Sequence, residues 1–308
     1  MDFTLEQKIS QMVIVAGVEH NREAFQRLQV GGIHLFALAS EQGYQERIES
    51  YQEGMNIPFF VTVDLEGCLN PFAAFRSSEP VSKVTTPGEA FQKGRDDGRF
   101  LANLGFRINY APVVDLGDAI WQCRSFPGNS TVTAELAQSY ILGLQNEGVI
   151  ATAKHYPGKT LVIRDPHKNL VEATIDDVDV YPYEFLFSKG DVNAVMVSHV
   201  ISSGAINSHG IPAVVDPTVI EGIRKQFDGL IISDEINMLG LRNYYGSTEE
   251  MYLAVFAAGN DLILNFNEDP QEVYHMIRVV ARAVESGEIS EEKIDESVRK
   301  ILGAKGFR

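Results

Sequence analysis

The sequence predicts a parallel α/β barrel of eight β–α units, a (β/α)8 TIM-type fold, and three observations predict it. Eight short apolar runs recur along the 308 residues, segments of helical period separate them, and ionisable residues gather at the C-terminal ends of the runs. Short runs rich in Val, Ile, Leu and Ala are what strands covered on both faces look like, and such strands belong to parallel sheets. Eight alternations in this length match a barrel that typically takes roughly 250 residues. A doubly wound sheet is the competing arrangement. No G-x-G-x-x-G follows an early strand, which counts against dinucleotide binding.

In chain order the runs are 12–17 (MVIVAG), 32–38 (GIHLFAL), 59–66 (FFVTVDLE) and 106–116 (FRINYAPVVDL). They continue with 149–156 (VIATAKHY), 192–200 (VNAVMVSHV), 227–235 (FDGLIISDE) and 259–266 (GNDLILNF). Between them, 134–147 has apolar residues at helical spacing and stops at Gly148, a residue suited to a helix C-terminus. The stretch 269–286 opens on Asp-Pro and stops at Gly287, and 291–302 reads as a final helix. No Gly/Ser linker, charge block or low-complexity segment marks a boundary, so residues 1–308 are expected to form one catalytic barrel.

Charge and cysteine content exclude several functions. Acids outnumber bases 42 to 26, a net charge of −16, which leaves no basic footprint for nucleic acid or an anionic membrane surface. No run approaches the roughly 20 apolar residues that span a bilayer, and the Met1-Asp2-Phe3-Thr4 start lacks the basic residues of a signal peptide. Cys68 and Cys123 make no disulfide framework and fit a reducing compartment, so a cytoplasmic protein with no obligate protein partner is the expectation.

Strand ends carry Asp64 and Glu66, Asp115, Lys154 and His155, Ser198 and His199, Asp234 and Glu235, and Asn265. In a barrel those ends converge on the active site, whereas in any sheet some strand ends are polar simply because they reach water. Asp234, closing a buried run, is aimed as a nucleophile or base must be, although such an Asp also serves as the N-cap of a following helix. Lys154 and His155 could donate hydrogen bonds to the hydroxyls of a polar ligand, or be a paired lysine and a structural histidine. Asp165 and His167, two apart in a polar loop, could form a carboxylate–imidazole pair working near neutral pH, or a solvated surface pair. His199 ends the sixth run and is a site candidate. His20, His209 and His275 are read as surface residues and His34 as facing the barrel wall. Neither H-E-x-x-H nor C-x-x-C is present, so no metal and no cofactor is expected.

Taken in order, these motifs resemble the bacterial β-N-acetylglucosaminidases of glycoside hydrolase family 3. The likeness runs through LEQKISQM (5–12), GGIHLF (31–36), VDLEG (63–67), APVVD (111–115) and RSF (124–126). Its core is KHYPG (154–158) followed by DPH (165–167), then MVSHV (196–200) and FDGLIISD (227–234). The resemblance implies a barrel of retaining exo-glycosidases acting on terminal β-linked N-acetylglucosamine, with a role in peptidoglycan recycling. Asp234 matches the family's nucleophile, and His167 with Asp165 matches its histidine–aspartate acid/base dyad. Asp64, Arg124, Lys154 and His155 match residues that bind sugar hydroxyls, and His199 a histidine lining the pocket.

Physical chemistry agrees with that assignment. Retaining hydrolysis needs a nucleophile below the anomeric carbon and a proton donor on the leaving oxygen. Lys154 and Arg124 are expected near Asp234, keeping it ionised by their positive potential.

The chain departs from the family pattern at Cys68-Leu69-Asn70-Pro71, at Lys159-Thr160 and in the apolar loop 161–164. Those departures leave room for a specialised glycosidase or a weakly active sugar-binding relative on the same scaffold, and a histidine acid/base, with no fixed negative charge to repel phosphate, leaves room for a phosphorylase.

Overall fold

The computed structural model describes residues 3–160, 165 and 168–307. Its first half contains α1 (Leu5–Gln11), β1 (Val13–Ala16), α2 (Arg22–Leu28), β2 (Gly32–His34), α3 (Glu41–Gln52), β3 (Phe60–Val63), α4 (Pro87–Leu104), β4 (Ile108–Asn109) and α5 (Ser130–Gln145). The second half contains β5 (Ile150–Tyr156), β6 (Glu172–Ile175), α6 (Asp177–Lys189), β7 (Ala194–Val197), β8 (Ile201–Gly204), α7 (Pro217–Arg224) and β9 (Leu230–Ser233). It ends with α8 (Leu239–Arg242), α9 (Thr248–Ala258), β10 (Ile263–Asn265), α10 (Pro270–Glu285) and α11 (Glu291–Ala304).

Each of the eight apolar runs supplies one strand of an eight-stranded parallel sheet in the order β10-β1-β2-β3-β4-β5-β7-β9. A parallel bridge between Ile232 and Leu262 joins its two outer strands, so the sheet curls into a barrel. The strands bury both faces, as in Val13–Val15 and Ile231–Ile232, because helices cover the outside and side chains fill the inside.

Helix ends follow local chemistry. Asp269 accepts from the Gln271 amide and Pro270 takes the first position of α10, as the Asp-Pro pair predicts. Helix α5 begins four residues ahead of the expected 134, because the Asn129 side chain accepts from the Val132 amide and caps it there. The small parallel pair β6–β8 was not expected. It stands outside the barrel sheet, and its β6 strand alternates exposed and buried residues rather than reading as an apolar run.

Two glycines set the spacing of the outer layer. A Cβ on Gly94 of α4 would stand 2.1 Å from the Tyr140 carbonyl oxygen, and one on Gly143 of α5 would stand 2.2 Å from that of Phe91. The close approach of α4 and α5 brings the Tyr140 hydroxyl to Asp97 and to Asn109, at 3.3 Å each. Asn109 then grips both backbone groups of Leu65, accepting from its amide at 2.9 Å and donating to its carbonyl at 3.1 Å. Leu65 lies between Asp64 and Glu66, so helix packing fixes two acids of the site.

Cys68 and Cys123 form a disulfide, which corrects the reading of two unpaired thiols and removes its support for a reducing compartment. They lie 55 residues apart in the chain, but β3 and β4 are neighbours in the sheet and their following loops run side by side. Among the described residues, no helix is long and apolar enough to cross a membrane.

Candidate active site

A cavity of about 260 Å³ opens at the C-terminal ends of the strands and is lined by Asp64, Glu66, Arg124, Lys154, His155 and Asp234, among others. Six strand-end or loop positions chosen for chemistry or located between chosen residues therefore meet in one place.

An alternating row of charge forms one wall. Lys154 of β5 places Nζ 2.5 Å from Asp64 Oδ1 and also pairs with Glu66. Arg124 reaches the same Glu66, with Nη2 2.8 Å from Oε1 and Nε paired to Oε2. Burial alone would raise the Glu66 carboxyl, but Lys154 and Arg124 outweigh it and hold it below the ordinary range. The same balance lowers Asp64, where Lys154 and then His34 overcome burial. Burial likewise opposes the Lys154 charge, and the two carboxylates override it, so the ammonium stays protonated above its usual range. Lys154 and Arg124 thus pair directly with Asp64 and Glu66, both on the segment after β3, and line the same cavity as Asp234.

Arg124 is held from below and above. The Asp118 carboxylate accepts from the amides of Trp121 at 2.7 Å, Cys123 at 3.2 Å and Arg124 at 3.0 Å, shaping the loop that carries it. The Trp121 ring lies 4.6 Å from the guanidinium, in cation–π range.

His155 is buried, with Nδ1 2.8 Å from Asp115 Oδ2. That contact fixes the ring and makes Nδ1 the donor of the neutral form, leaving Nε2 as an acceptor or, once protonated, a second donor. Asp234 follows β9 directly. Its amide donates to Val197 O at 3.0 Å, and its Oδ1 accepts from the Glu235 amide at 2.8 Å, rather than capping a helix. His199 reaches the site through backbone, donating Nε2–H to the Glu235 carbonyl at 2.9 Å.

Asp165 opens a turn in which its carbonyl accepts from the Lys168 and Asn169 amides, and Oδ2 lies 3.5 Å from Lys168 Nζ. It does not line the cavity. His167, the other member of the expected dyad, lies outside the described residues. His20, His209 and His275 are exposed, as read from the sequence.

Several contributors escaped the sequence reading. Glu66 was noted at a strand end but given no role. Its spacing of two from Asp64 on an extended segment was the available signal, since such residues share a face. Asp115 and Glu235 are similar cases. Glu235 is half-buried, and desolvation raises its carboxyl despite hydrogen bonds from Asn237 and the Phe266 amide. His34, read as facing the barrel wall, is buried, stands 3.6 Å from Asp64 and stacks on Phe266 at 4.5 Å between centroids. Burial pushes its pKa down to about 4, so it is neutral at pH 7. The apolar side of the cavity includes Phe36, Leu69, Met238 and Phe266, to which the sequence assigns no role.

The family model for the glycosyl hydrolase family 3 N-terminal domain matches residues 4–304. A beta-hexosaminidase of Idiomarina loihiensis is 30% identical over 281 residues, 83% of this chain and 83% of its own length. One of Glaesserella parasuis is 29% identical over 278 residues, 83% of this chain and 80% of its own length. The solved structure of a family 3 beta-N-acetylglucosaminidase from Paenibacillus sp. is similar over 99% of this chain, with a TM-score of 0.89 and 27% identity. This chain covers 62% of that one.

Proposed function

From the premise that the chain belongs to glycosyl hydrolase family 3 and acts on glycosidic bonds, we propose that it is a retaining exo-β-N-acetylglucosaminidase. The observation that carries the reading is the single cavity in which Asp234 faces a cluster of charged hydrogen-bonding groups: Asp64, Glu66, Arg124, Lys154 and His155. Its volume of about 260 Å³ falls below the usual range for drug-sized ligands, which suits one terminal sugar rather than a longer stretch of chain. Charged donors and acceptors suit a ring bearing several hydroxyls, because a ligand lacking those hydroxyls would leave the buried groups unpaired.

Asp234 attacks the anomeric carbon as the glycosidic C–O bond breaks, and His167 gives its proton to the departing oxygen. The result is a glycosyl ester on Asp234. His167, now neutral, takes a proton from water, whose oxygen attacks the same carbon and releases the sugar and the carboxylate. Two inversions leave the β configuration unchanged. Asp165 stabilises the His167 imidazolium and orients its ring. Asp64, Arg124, Lys154 and His155 hold the sugar, and His199 braces the backbone beside Asp234. Residues 1–308 supply the barrel on which all of these steps occur, with no metal or cofactor in the chemistry.

Turnover of an aryl N-acetyl-β-glucosaminide by the protein and by Asp234→Ala tests the proposal, with NMR of the first-formed product. Expected are β-N-acetylglucosamine as the initial anomer and a loss of at least about 10³-fold in the variant. Unchanged turnover in Asp234→Ala, or an α product, would overturn it.

A further inference from the structure

We infer that the Cys68–Cys123 bridge is a positioning element of the sugar subsite, and that its reduction weakens substrate binding. The inference rests on the glycosidase reading and extends it to control of the same site by thiol redox state.

The bridge and a buried ion pair join the same two segments. Cys68 lies two residues beyond Glu66, and Cys123 immediately precedes Arg124. Glu66 and Arg124 are themselves bonded inside the cavity, each almost fully buried. The Glu66 amide donates to the Leu69 carbonyl at 3.0 Å, closing a tight turn that contains Cys68. A shift of Cys68 is therefore passed to Glu66 on one side and to Leu69, which lines the cavity, on the other.

On the opposite side, Cys123 sits in the loop shaped by Asp118, outside any helix or strand. Neither segment has sheet or helix hydrogen bonds to fix it against the other. An ion pair tolerates sliding of its backbones because an arginine stem is long and flexible, whereas a covalent link between the flanking residues does not. With the bridge intact, Glu66 and Arg124 are held ready before the sugar arrives, and that ordering is not charged against binding.

Reduction by a dithiol breaks the S–S bond. Two electrons and two protons pass from the dithiol, which closes to its own disulfide, and Cys68 and Cys123 become thiols.

The sequence supplies a reporter for this change. Trp121 is the single tryptophan of the chain, two residues from Cys123 and stacked on Arg124.

The experiment measures kcat and KM on an aryl N-acetyl-β-glucosaminide, and acrylamide quenching of Trp121, before and after treatment with dithiothreitol. Thiol tagging and mass spectrometry count the cysteines freed. The same measurements are made on Cys68→Ser/Cys123→Ser, with circular dichroism confirming its fold. On reduction we expect two thiols to appear, KM to rise about tenfold with kcat within about twofold, and Trp121 to become more accessible to acrylamide. The double variant should match the reduced protein and ignore dithiothreitol.

Equal KM before and after confirmed reduction would overturn the inference, as would a dithiothreitol response retained in the double variant. Absence of turnover in the oxidised protein would instead sink the glycosidase reading. Trp121 quenching then still decides the bridge, and quenching that does not change on reduction overturns it.

Discussion

Lys154 Nζ stands 2.5 Å from Asp64 Oδ1, and the same ammonium pairs with Glu66 behind it. One cation thus serves two carboxylates, the partly exposed Asp64 and the buried Glu66, which it shares with Arg124. Replacing it by methionine keeps the volume and removes the compensation. Breaking a buried ion pair from one side costs about 3–5 kcal/mol, so Lys154→Met should lose stability on that order in urea denaturation at pH 7. Without the Lys154 charge that opposes their burial, the two carboxyls should protonate at higher pH than in the parent. Carboxyls held below their ordinary range give up stability as pH falls from their unfolded to their folded values, so the variant, in which that depression is relieved, should lose less stability to acid through these two groups than the parent does. A urea midpoint equal to the parent's at pH 7 would contradict the pairing.

Each barrel strand could be read in the sequence because burial on both faces writes a continuous apolar run, and the runs 12–17 and 227–235 carry β1 and β9 without ambiguity. The pair β6–β8 could not be read this way, since Glu172 and Thr174 are exposed and break the run. Within the site, Asp64, Lys154, His155 and Asp234 were legible from position alone, each at or just beyond a strand end. Which charge neutralises which was not legible. That depends on neighbouring loops, which bring Arg124 onto Glu66, a residue 58 positions away in the chain. The same holds for the disulfide, whose two cysteines are brought together only by the adjacency of β3 and β4.

His34 offers a test of buried neutrality. Its pKa, about 4 in the folded protein, lies below the ordinary 6.5 because burial disfavours the imidazolium, and Lys154 adds to that while Asp64 opposes it. As pH falls below 6.5 the unfolded chain takes up a proton that the folded chain refuses. Stability should therefore drop between pH 6.5 and about 4 through this residue, by about 3 kcal/mol at most, and level off below. In His34→Gln that share of the acid sensitivity should vanish, so the parent-minus-variant difference in unfolding free energy should shrink across this window. A difference that stays constant with pH would show that His34 does not remain neutral.

Gly94 is predicted to be intolerant of a single methyl. A Cβ there meets the Tyr140 carbonyl oxygen at 2.1 Å, which is backbone and has no rotamer to yield. Gly94→Ala should cost about 1–3 kcal/mol by forcing α4 from α5. Because Tyr140 supports Asn109 and Asn109 holds Leu65, KM should rise as well, although no part of Gly94 touches the cavity. Gly88, at the exposed first turn of α4 with open space around it, is the control: Gly88→Ala should change neither quantity by a comparable amount. Thermal unfolding and steady-state kinetics of the two variants check this together.

The acid/base assignment yields the last prediction, because the requirement for a proton donor depends on the leaving group. A nitrophenolate departs without protonation, whereas a sugar hydroxyl must be protonated as its bond breaks. Removing a general acid typically costs about 10²–10⁴-fold on the step that needs it. His167→Ala should therefore lose about that much on N,N′-diacetylchitobiose, while the first, glycosylation step with a nitrophenyl glycoside falls by less than about tenfold. The second step needs a base for every substrate, so the glycosyl–Asp234 ester should accumulate with the activated substrate and show a burst of nitrophenolate. Asp165→Asn should weaken the same functions more mildly, since it leaves the imidazole in place and removes the charge that supports its protonated form. Equal losses of His167→Ala on both substrates, with no burst, would assign the proton transfer to another residue.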